Sequence, residues 1–255
     1  MMRPVVMILS MVAILAAIGG CSSESKGTLY VYCDKVLEPA MTEIVKKFES
    51  KSGYTVKLFC EQEDRACKQM MLSNHKDMYI SMIPALVDQT VSLGLSKDPE
   101  TICYIVPAMV TAPLNPREID SLEDFRKADI RFGICQEDTF LGVTTQRLLK
   151  KNGFTGEDVH DLLHQLAPDE ACLIQDIQES MIDVGIVWCI TARHAERVGV
   201  AEITPGKNVR LPVVALELKK SEHPEVTTEL REFMKSPEAN AIWEKNGLEP
   251  CDEAE

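Results

Sequence analysis

The feature that most constrains this chain is a regular alternation of short, β-favouring apolar runs with segments whose apolar residues recur at helical spacing. Strands are predicted at residues 29–33, 55–60, 77–81, 101–110, 130–135, 184–189 and 211–218. Helices are predicted at 36–48, 64–73, 84–94, 141–151, 170–180, 226–234 and 237–246, and shorter ones after Ser121 and Thr155. This order predicts an α/β protein with mainly parallel central sheets covered by helices.

The N-terminal residues predict export. Arg3 precedes an apolar run, residues 5–18, which is shorter than the ~20 residues of a membrane-spanning helix and typical of a signal peptide. Small residues before Cys21 resemble the lipobox of bacterial lipoproteins. We therefore expect residues 1–20 to be a lipoprotein signal peptide, Cys21 to carry lipid, and residues 21–27 to form a polar tether. The protein would then lie in the periplasm or at the cell surface, anchored to a membrane; an uncleaved anchor and an ordinary secretory signal are the alternatives.

Charge and motifs exclude several classes of function. The formal net charge of -13 argues against non-specific nucleic-acid binding, which needs a basic surface. The sequence contains no Cys-x-x-Cys pair, serine triad or phosphate-binding loop. We therefore expect a protein that is not an enzyme and needs no cofactor.

Several segments, in order and spacing, resemble the periplasmic molybdate-binding proteins, which are type II solute-binding proteins of ABC importers. The matching segments run from about Leu29 to Leu248 and include residues 29–32, 77–81, 121–125, 185–188 and 233–239. The resemblance implies two lobes joined by crossover strands, with the first lobe at residues 28–110 and 205–255 and the second at 111–204. It also implies a protein that carries a molybdate-like oxyanion between its lobes and passes it to an ABC permease in the membrane.

The chain departs from this family where the anion would bind. Family members hold the oxyanion with hydroxyls and with backbone N–H groups at helix starts. The first hydroxyl position falls on Val36, and the serine-rich second loop falls on a segment that contains Glu61 and Glu63. A carboxylate 4 Å from a bound anion would cost roughly 4 kcal/mol at an effective dielectric of 20. Alternatively, these acids face water and stabilise a helix dipole. Leu141 and Trp188 complete the expected ligand-binding set, and Trp188 could equally fill the core.

Cysteines suggest a second kind of site. Cys33, Cys60, Cys135 and Cys189 each lie at the carboxyl end of a predicted strand, and Cys172 lies near a helix start. Ligands in open α/β sheets bind beyond these strand ends. Thiolates with neighbouring carboxylates could coordinate a soft or borderline metal, so these four strand-end cysteines form a candidate metal set. The alternatives are disulfides, such as Cys60 with Cys67 or Cys33 with Cys60, and roles in the core.

Three alternatives to the function of an oxyanion carrier therefore remain. The first is a protein of the same fold that binds a soft metal cation through cleft cysteines and carboxylates. The second is a membrane-anchored thiol-redox protein, and the third is a ligand-sensing domain without a transporter. His160 and His164 have the i, i+4 spacing of a helical metal pair, but the metalloprotease Glu is missing and a solvated helix face is the preferred interpretation.

Overall fold

A computed structural model describes residues 25–97 and 99–251. The predicted signal peptide and the lipidation site Cys21 lie outside the described residues. The described chain contains two β-sheets with helices packed on them.

The first sheet has six strands in the order β11-β4-β10-β3-β1-β2. Their bounds are β1 Thr28–Asp34, β2 Thr55–Glu61, β3 Met78–Ser81, β4 Glu100–Ile105, β10 Leu211–Glu217 and β11 Glu249–Pro250. Strand β1 pairs in parallel with β2 and β3, whereas β10 is antiparallel to β3 and β4.

The second sheet has five strands in the order β7-β6-β8-β5-β9. Their bounds are β5 Pro107–Thr111, β6 Phe132–Cys135, β7 Leu163–Ala167, β8 Val184–Trp188 and β9 Gly199–Glu202. Strand β6 is parallel to β7 and β8, and β5 is antiparallel to β8 and β9. Both sheets are thus mixed. The expected parallel pairs occur at the βαβ units, and antiparallel pairs occur where the chain enters or returns from the other sheet.

Helices follow most strands. Their bounds are α1 Glu38–Ser52, α2 Glu63–Leu72, α3 Pro84–Ser92, α4 Phe140–Lys151, α5 Gly156–Leu162, α6 Glu170–Gln178, α7 Cys189–His194, α8 Pro224–Met234 and α9 Pro237–Lys245. Short 3₁₀ helices lie at Lys35–Leu37 and Leu122–Arg126. Helix α1 shows why these segments fold as they do: it buries apolar residues at helical spacing and ends at Gly53, whose φ of 76° is left-handed.

The chain crosses between the sheets twice. It first crosses at Val106, between β4 and β5, and returns through residues 203–210, between β9 and β10. The two crossing segments are joined, because the side-chain amide of Asn208 donates to the carbonyl of Pro107 at 2.9 Å. The predicted lobe boundaries at residues 110 and 204 remain a proposal; the change of sheet itself falls at residue 106.

The structure departs from the predicted elements in a few places. The apolar run at 101–110 is two strands rather than one, because it serves one sheet before Val106 and the other after it. Strands β7, β9 and β11 and helix α7 are short and were not predicted. The predicted His160–His164 helix face is wrong, since α5 ends at Leu162 and His164 lies in β7.

Three apolar clusters support the sheets. The largest contains side chains of both sheets, including Val31 and Ile80 from the first and Val187 from the second, so the two halves pack against each other. A second cluster fills the far side of the second sheet around Phe125 and Phe132. A third lies under α2 and α3. The packing between the halves brings the carboxyl ends of both sheets close together.

A buried carboxylate, Asp183, holds the beginnings of β6 and β8 together. Asp183, directly before β8, accepts hydrogen bonds from the backbone N–H of Arg131 at 2.9 Å and from its guanidinium at 2.9 and 3.1 Å. Burial acts to raise the pKa of Asp183, but the hydrogen bonds and charge of Arg131, with the charge of Arg117, outweigh it and hold the pKa below its ordinary value.

We expect Asp183→Ala to lower the free energy of unfolding by about 2–3 kcal/mol, because it leaves the Arg131 backbone N–H and guanidinium without their acceptor. The loss should be smaller than for a fully buried pair, since the Arg131 side chain is 40% exposed. Urea unfolding measures it.

Asp129→Ala is the matched control. Asp129 is 72% exposed and lies 3.5 Å from Arg117, so its removal should change stability by no more than about 0.5 kcal/mol. Because a lowered folded-state pKa gives stability above the unfolded pKa that is lost on acidification, the Asp183→Ala deficit should shrink below about pH 4. A deficit unchanged at low pH would contradict this account.

Candidate functional site

Two thiols lie side by side at the carboxyl edge of the first sheet. Strands β1 and β2 are parallel and in register, and Cys33 is the partner of Cys60. Their Sγ atoms are 3.1 Å apart. Cys33 is fully buried, whereas Cys60 is half-buried and packs against the largest core cluster. Sequence placed both cysteines at strand ends, and the structure brings them together.

Asp34 follows Cys33 and caps the 3₁₀ helix at Lys35–Leu37. Its carboxylate is 8% exposed and accepts a hydrogen bond from the backbone N–H of Val36 at 2.9 Å. Val36 is the position at which the sequence analysis placed the first anion-binding hydroxyl of the molybdate-binding family. The backbone N–H at this position already donates to the Asp34 carboxylate.

The described acidic side chains that follow β2 are exposed to solvent. Glu61 is exposed at the end of β2, and Glu63 begins α2; the Glu63 side chain is outside the described atoms. Asp64 is exposed and pairs with Lys68 one turn later on α2. Glu61 and Asp64 are therefore exposed beside the start of α2, and a contact of Glu61 with a ligand stays a prediction.

A second acidic helix start lies at the edge of the second sheet. Asp169 is the N-cap of α6 and accepts from the backbone N–H of Cys172 at 2.8 Å. The next residue, Glu170, accepts from the backbone N–H of Trp188, at the end of β8, at 2.8 Å. Thr139 similarly caps α4 by accepting from Gly142 at 2.9 Å. The helix starts on this side are thus also capped from within.

Glu170 is the most perturbed carboxyl group of the site. Its side chain is partly accessible yet surrounded by protein, and this desolvation raises its pKa to about 7. Hydrogen bonds from Trp188 and Thr191 oppose the rise, and the charges of Asp34 and Asp169 add to it. Asp34 belongs to the first sheet, so the two edges are within electrostatic reach of each other. Helix α7 also packs on the 3₁₀ helix at Lys35–Leu37.

Cys135 and Cys172 form a second thiol neighbourhood. Cys135 ends β6 and is 1% exposed, and burial raises its pKa to about 12, with further increases from Glu170, Asp169 and Cys172. The half-buried thiol of Cys172 also has a raised pKa, mainly because it hydrogen-bonds to Asp169. Near neutral pH these thiols remain protonated unless a cation displaces the protons.

Aromatic and aliphatic side chains lie beneath this edge. The rings of Trp188 and Phe140 are 5.9 Å apart between centroids, with Trp188 2% and Leu141 3% exposed. Both Trp188 and Leu141 are members of the largest core cluster. Their contact with a ligand is therefore untested and remains a proposal, although Trp188 is bonded through its backbone to Glu170.

The predicted set of four cysteines does not form one cluster. Cys189 begins α7 rather than ending a strand, and its thiol interacts with Arg193 and lies near Gly247. Among the described residues, no group of three or more His, Cys, Asp or Glu is placed to hold a metal ion. The eight described cysteines are thiols, and the close partner of Cys60 is Cys33 rather than Cys67.

Glu170 is the site residue that sequence analysis missed. The segment before it, Leu163–Ala167, is a strand with few β-branched residues, so no strand end was predicted beside α6. A usable signal was present: Asp169 is a good N-cap residue, and a cap next to an alternating apolar segment indicates a strand-to-helix turn.

Comparison with known sequences identifies a family. Residues 29–249 match the profile of a family described as bacterial extracellular solute-binding proteins. A search of curated protein sequences found no match to this chain.

Solved structures show the same fold with different ligands. The fold is similar to a substrate-binding domain assigned to a molybdenum ABC transporter from Clostridium difficile, at a TM-score of 0.77 and 15% identity, covering 89% of this chain and 100% of that one. The periplasmic molybdate-binding protein of Azotobacter vinelandii has a TM-score of 0.68 at 13% identity, covering 88% and 100%. Iron-bound HitA from Pseudomonas aeruginosa has 0.66 at 16%, covering 88% and 86%. The predicted periplasmic-binding-protein fold is confirmed, while identities this low leave the ligand open.

We expect Glu170→Gln to stabilise the protein by about 1–3 kcal/mol at about pH 8, because glutamine keeps the acceptor for Trp188 without a desolvated charge. A raised folded-state pKa means that Glu170 favours folding at low pH and that this contribution is lost as the pH rises through about 7. The difference between variant and wild type should therefore shrink as the pH falls from about 7 and vanish at about pH 4 and below, as measured by urea unfolding.

Glu179→Gln, at the other end of α6 and exposed, should leave stability within about 0.5 kcal/mol at both pH values. If Glu170→Gln behaved like this control, the Glu170 carboxyl would not be desolvated.

Proposed function

The chain belongs to the bacterial extracellular solute-binding protein family, and on that premise we propose that it captures a small ligand where the carboxyl edges of its two sheets meet. It would then deliver the ligand to an ABC permease in the membrane. The observation that carries the proposal is the packing of α7, which follows β8, on the 3₁₀ helix that follows β1, with Asp34 acting electrostatically on Glu170. Ligands of open α/β sheets bind at such carboxyl edges.

The connection between the sheets suits this role. Only the segments at Val106 and at residues 203–210 cross from one sheet to the other within the described chain, and Asn208 ties them to each other. Such a paired connection can act as a hinge, about which the carboxyl edges open and close around a ligand. Closure excludes water and strengthens each polar contact with the ligand. Binding and release need no change in covalent bonds.

The charge at the carboxyl edges of the two sheets affects which ligand can bind there. The resemblance to molybdate-binding proteins points to an oxyanion, but the backbone donors of Val36, Cys172 and Trp188 are taken by Asp34, Asp169 and Glu170. An oxyanion would have to displace these carboxylates and remain close to their charge. A cation would be attracted by the same groups, so the site favours the metal-cation alternative over the oxyanion.

The thiol-redox alternative has a paired thiol but lacks an activated one. Catalytic thiols need a lowered pKa so that the thiolate is present. The pKa of Cys33 is instead raised well above its ordinary value by its hydrogen bond to Cys60, by burial and by nearby negative charge. This environment disfavours rapid thiol exchange.

We also propose lipid attachment at Cys21, in keeping with an extracytoplasmic carrier that remains beside its permease. Within residues 25–97 and 99–251, no helix is long and apolar enough to cross a membrane.

Ligand binding should raise the melting temperature and change the fluorescence of Trp188. At a hundredfold excess over Kd the gain is about 2.7 kcal/mol, or roughly 5–10 °C for a chain of this size. We would titrate the purified protein with molybdate, tungstate, Zn²⁺ and Ag⁺ and expect one charge class to give a saturable response.

Trp243 provides the matched control for this assay. It is fully buried and bonds through Nε1 to the carbonyl of Met234, away from the proposed site. The fluorescence response should be lost in Trp188→Phe and kept in Trp243→Phe. A response that follows Trp243 would place the ligand elsewhere.

Cys21→Ala should move the exported protein from the membrane to the soluble fraction, because the lipid is attached through that thiol. Cys251→Ala, which removes a cysteine near the other end of the chain, should remain in the membrane fraction. Fractionation and the mass of the N-terminal peptide measure this. A Cys21→Ala protein that stays in the membrane would argue for an uncleaved anchor.

A further inference from the structure

We propose that the ligand is a soft metal cation of the Cu⁺ class and that the thiols of Cys33 and Cys60 hold it between them. The proposal rests on the function proposed above and names the ligand of that same site. Thiolate ligands select soft cations such as Cu⁺ over Ca²⁺ or Mg²⁺, which prefer oxygen.

The backbone presents the two thiols as a pair. Cys33 and Cys60 are register partners in adjacent parallel strands, so their side chains leave the sheet on the same face. Cys33 is fixed in the core, while Cys60 is half-buried and has room to adjust. With Sγ atoms already 3.1 Å apart, a small outward turn of Cys60 would admit a cation between them.

The number of available ligands restricts the metal. No three His, Cys, Asp or Glu side chains among the described residues are grouped to hold an ion, so the four-ligand shell that Zn²⁺ prefers is not formed. Closed-shell soft cations can be held by two sulfur atoms alone. The paired thiols therefore fit a two-coordinate cation better than a tetrahedral one.

The surroundings of Cys33 are negative. Asp34 and Glu38 both act electrostatically on its thiol, and Asp34 acts in turn on Glu170 from the other sheet. A cation supplies the positive charge that these groups lack.

Binding is a proton exchange without electron transfer. Each thiol gives up its proton to solvent, and a metal–sulfur bond replaces each S–H bond. The metal keeps its oxidation state. The same geometry could instead be oxidised to a disulfide, which would need an external electron acceptor and an S–S distance near 2.05 Å.

The test presents Cu⁺ to the reduced, purified protein under anaerobic conditions as a complex with the coloured competitor bicinchoninate, and Ag⁺ serves as a redox-inert probe. We expect wild type to remove one Cu⁺ per chain from the competitor. Cys33→Ser and Cys60→Ser should each lose this uptake. Cys251→Ser, which alters a half-buried thiol bonded to the Thr101 carbonyl, should retain it.

Several results would overturn the proposal. One is undiminished uptake of Cu⁺ by Cys60→Ser. Another is a Cys33–Cys60 disulfide that persists after reduction, as detected by mass spectrometry. Saturable binding of molybdate with no uptake of Cu⁺ would also overturn it, yet would leave the carrier function standing. The absence of any ligand-induced shift with either charge class would instead count against the carrier function itself. Circular dichroism melting checks that the serine variants fold, and Cys60→Ala, at the half-buried position, gives a second variant.

Discussion

The whole arrangement depends on how the chain passes between its two sheets. One apolar run leaves the first sheet at Val106 and enters the second at the next residue, and the return passes beside it at residues 203–210. The Asn208–Pro107 hydrogen bond holds these passages together, so the sheets share one narrow connection and one packed core. Their carboxyl edges consequently face each other, which is what allows residues far apart in sequence to interact.

At those edges the balance between hydrogen bonding and charge decides what can bind. Backbone N–H groups at helix starts are strong donors, and other proteins of this fold can offer them to anions. Here Asp34, Asp169 and Glu170 accept from backbone N–H groups at these edges, and Thr139 does so at the start of α4. The carboxylates satisfy the donors but leave their own negative charge facing a partly desolvated space. Burial, together with the charges of Asp34 and Asp169, raises the pKa of Glu170.

Much of this was available from the sequence, for physical reasons. Long amphipathic helices such as α1 and α4 and apolar strands such as β1 and β8 carry clear periodic signals, so the α/β order could be predicted. The pairing of Cys33 with Cys60 was open to the same logic, since each follows the start of its strand by five residues in an in-register parallel pair. Short elements were missed. Strand β7 has no β-branched residues and is separated from its partner β6 by α4 and α5, and without it Glu170 had no predicted place. Cys189 was misplaced because an apolar run does not reveal whether its last residue ends a strand or begins a helix.

The side chains that cap the helix starts also affect which ligands proteins of this fold can bind. Because carboxylate side chains supply the negative charge at the starts of the 3₁₀ helix after β1 and of α6, the sign of the preferred ligand is set by a few exchangeable residues. Replacing Asp34 by a small neutral residue would remove this acceptor from the Val36 N–H. Carriers for cations and for anions can therefore be separated by very few mutational steps, and a shared architecture is a poor guide to what its members carry.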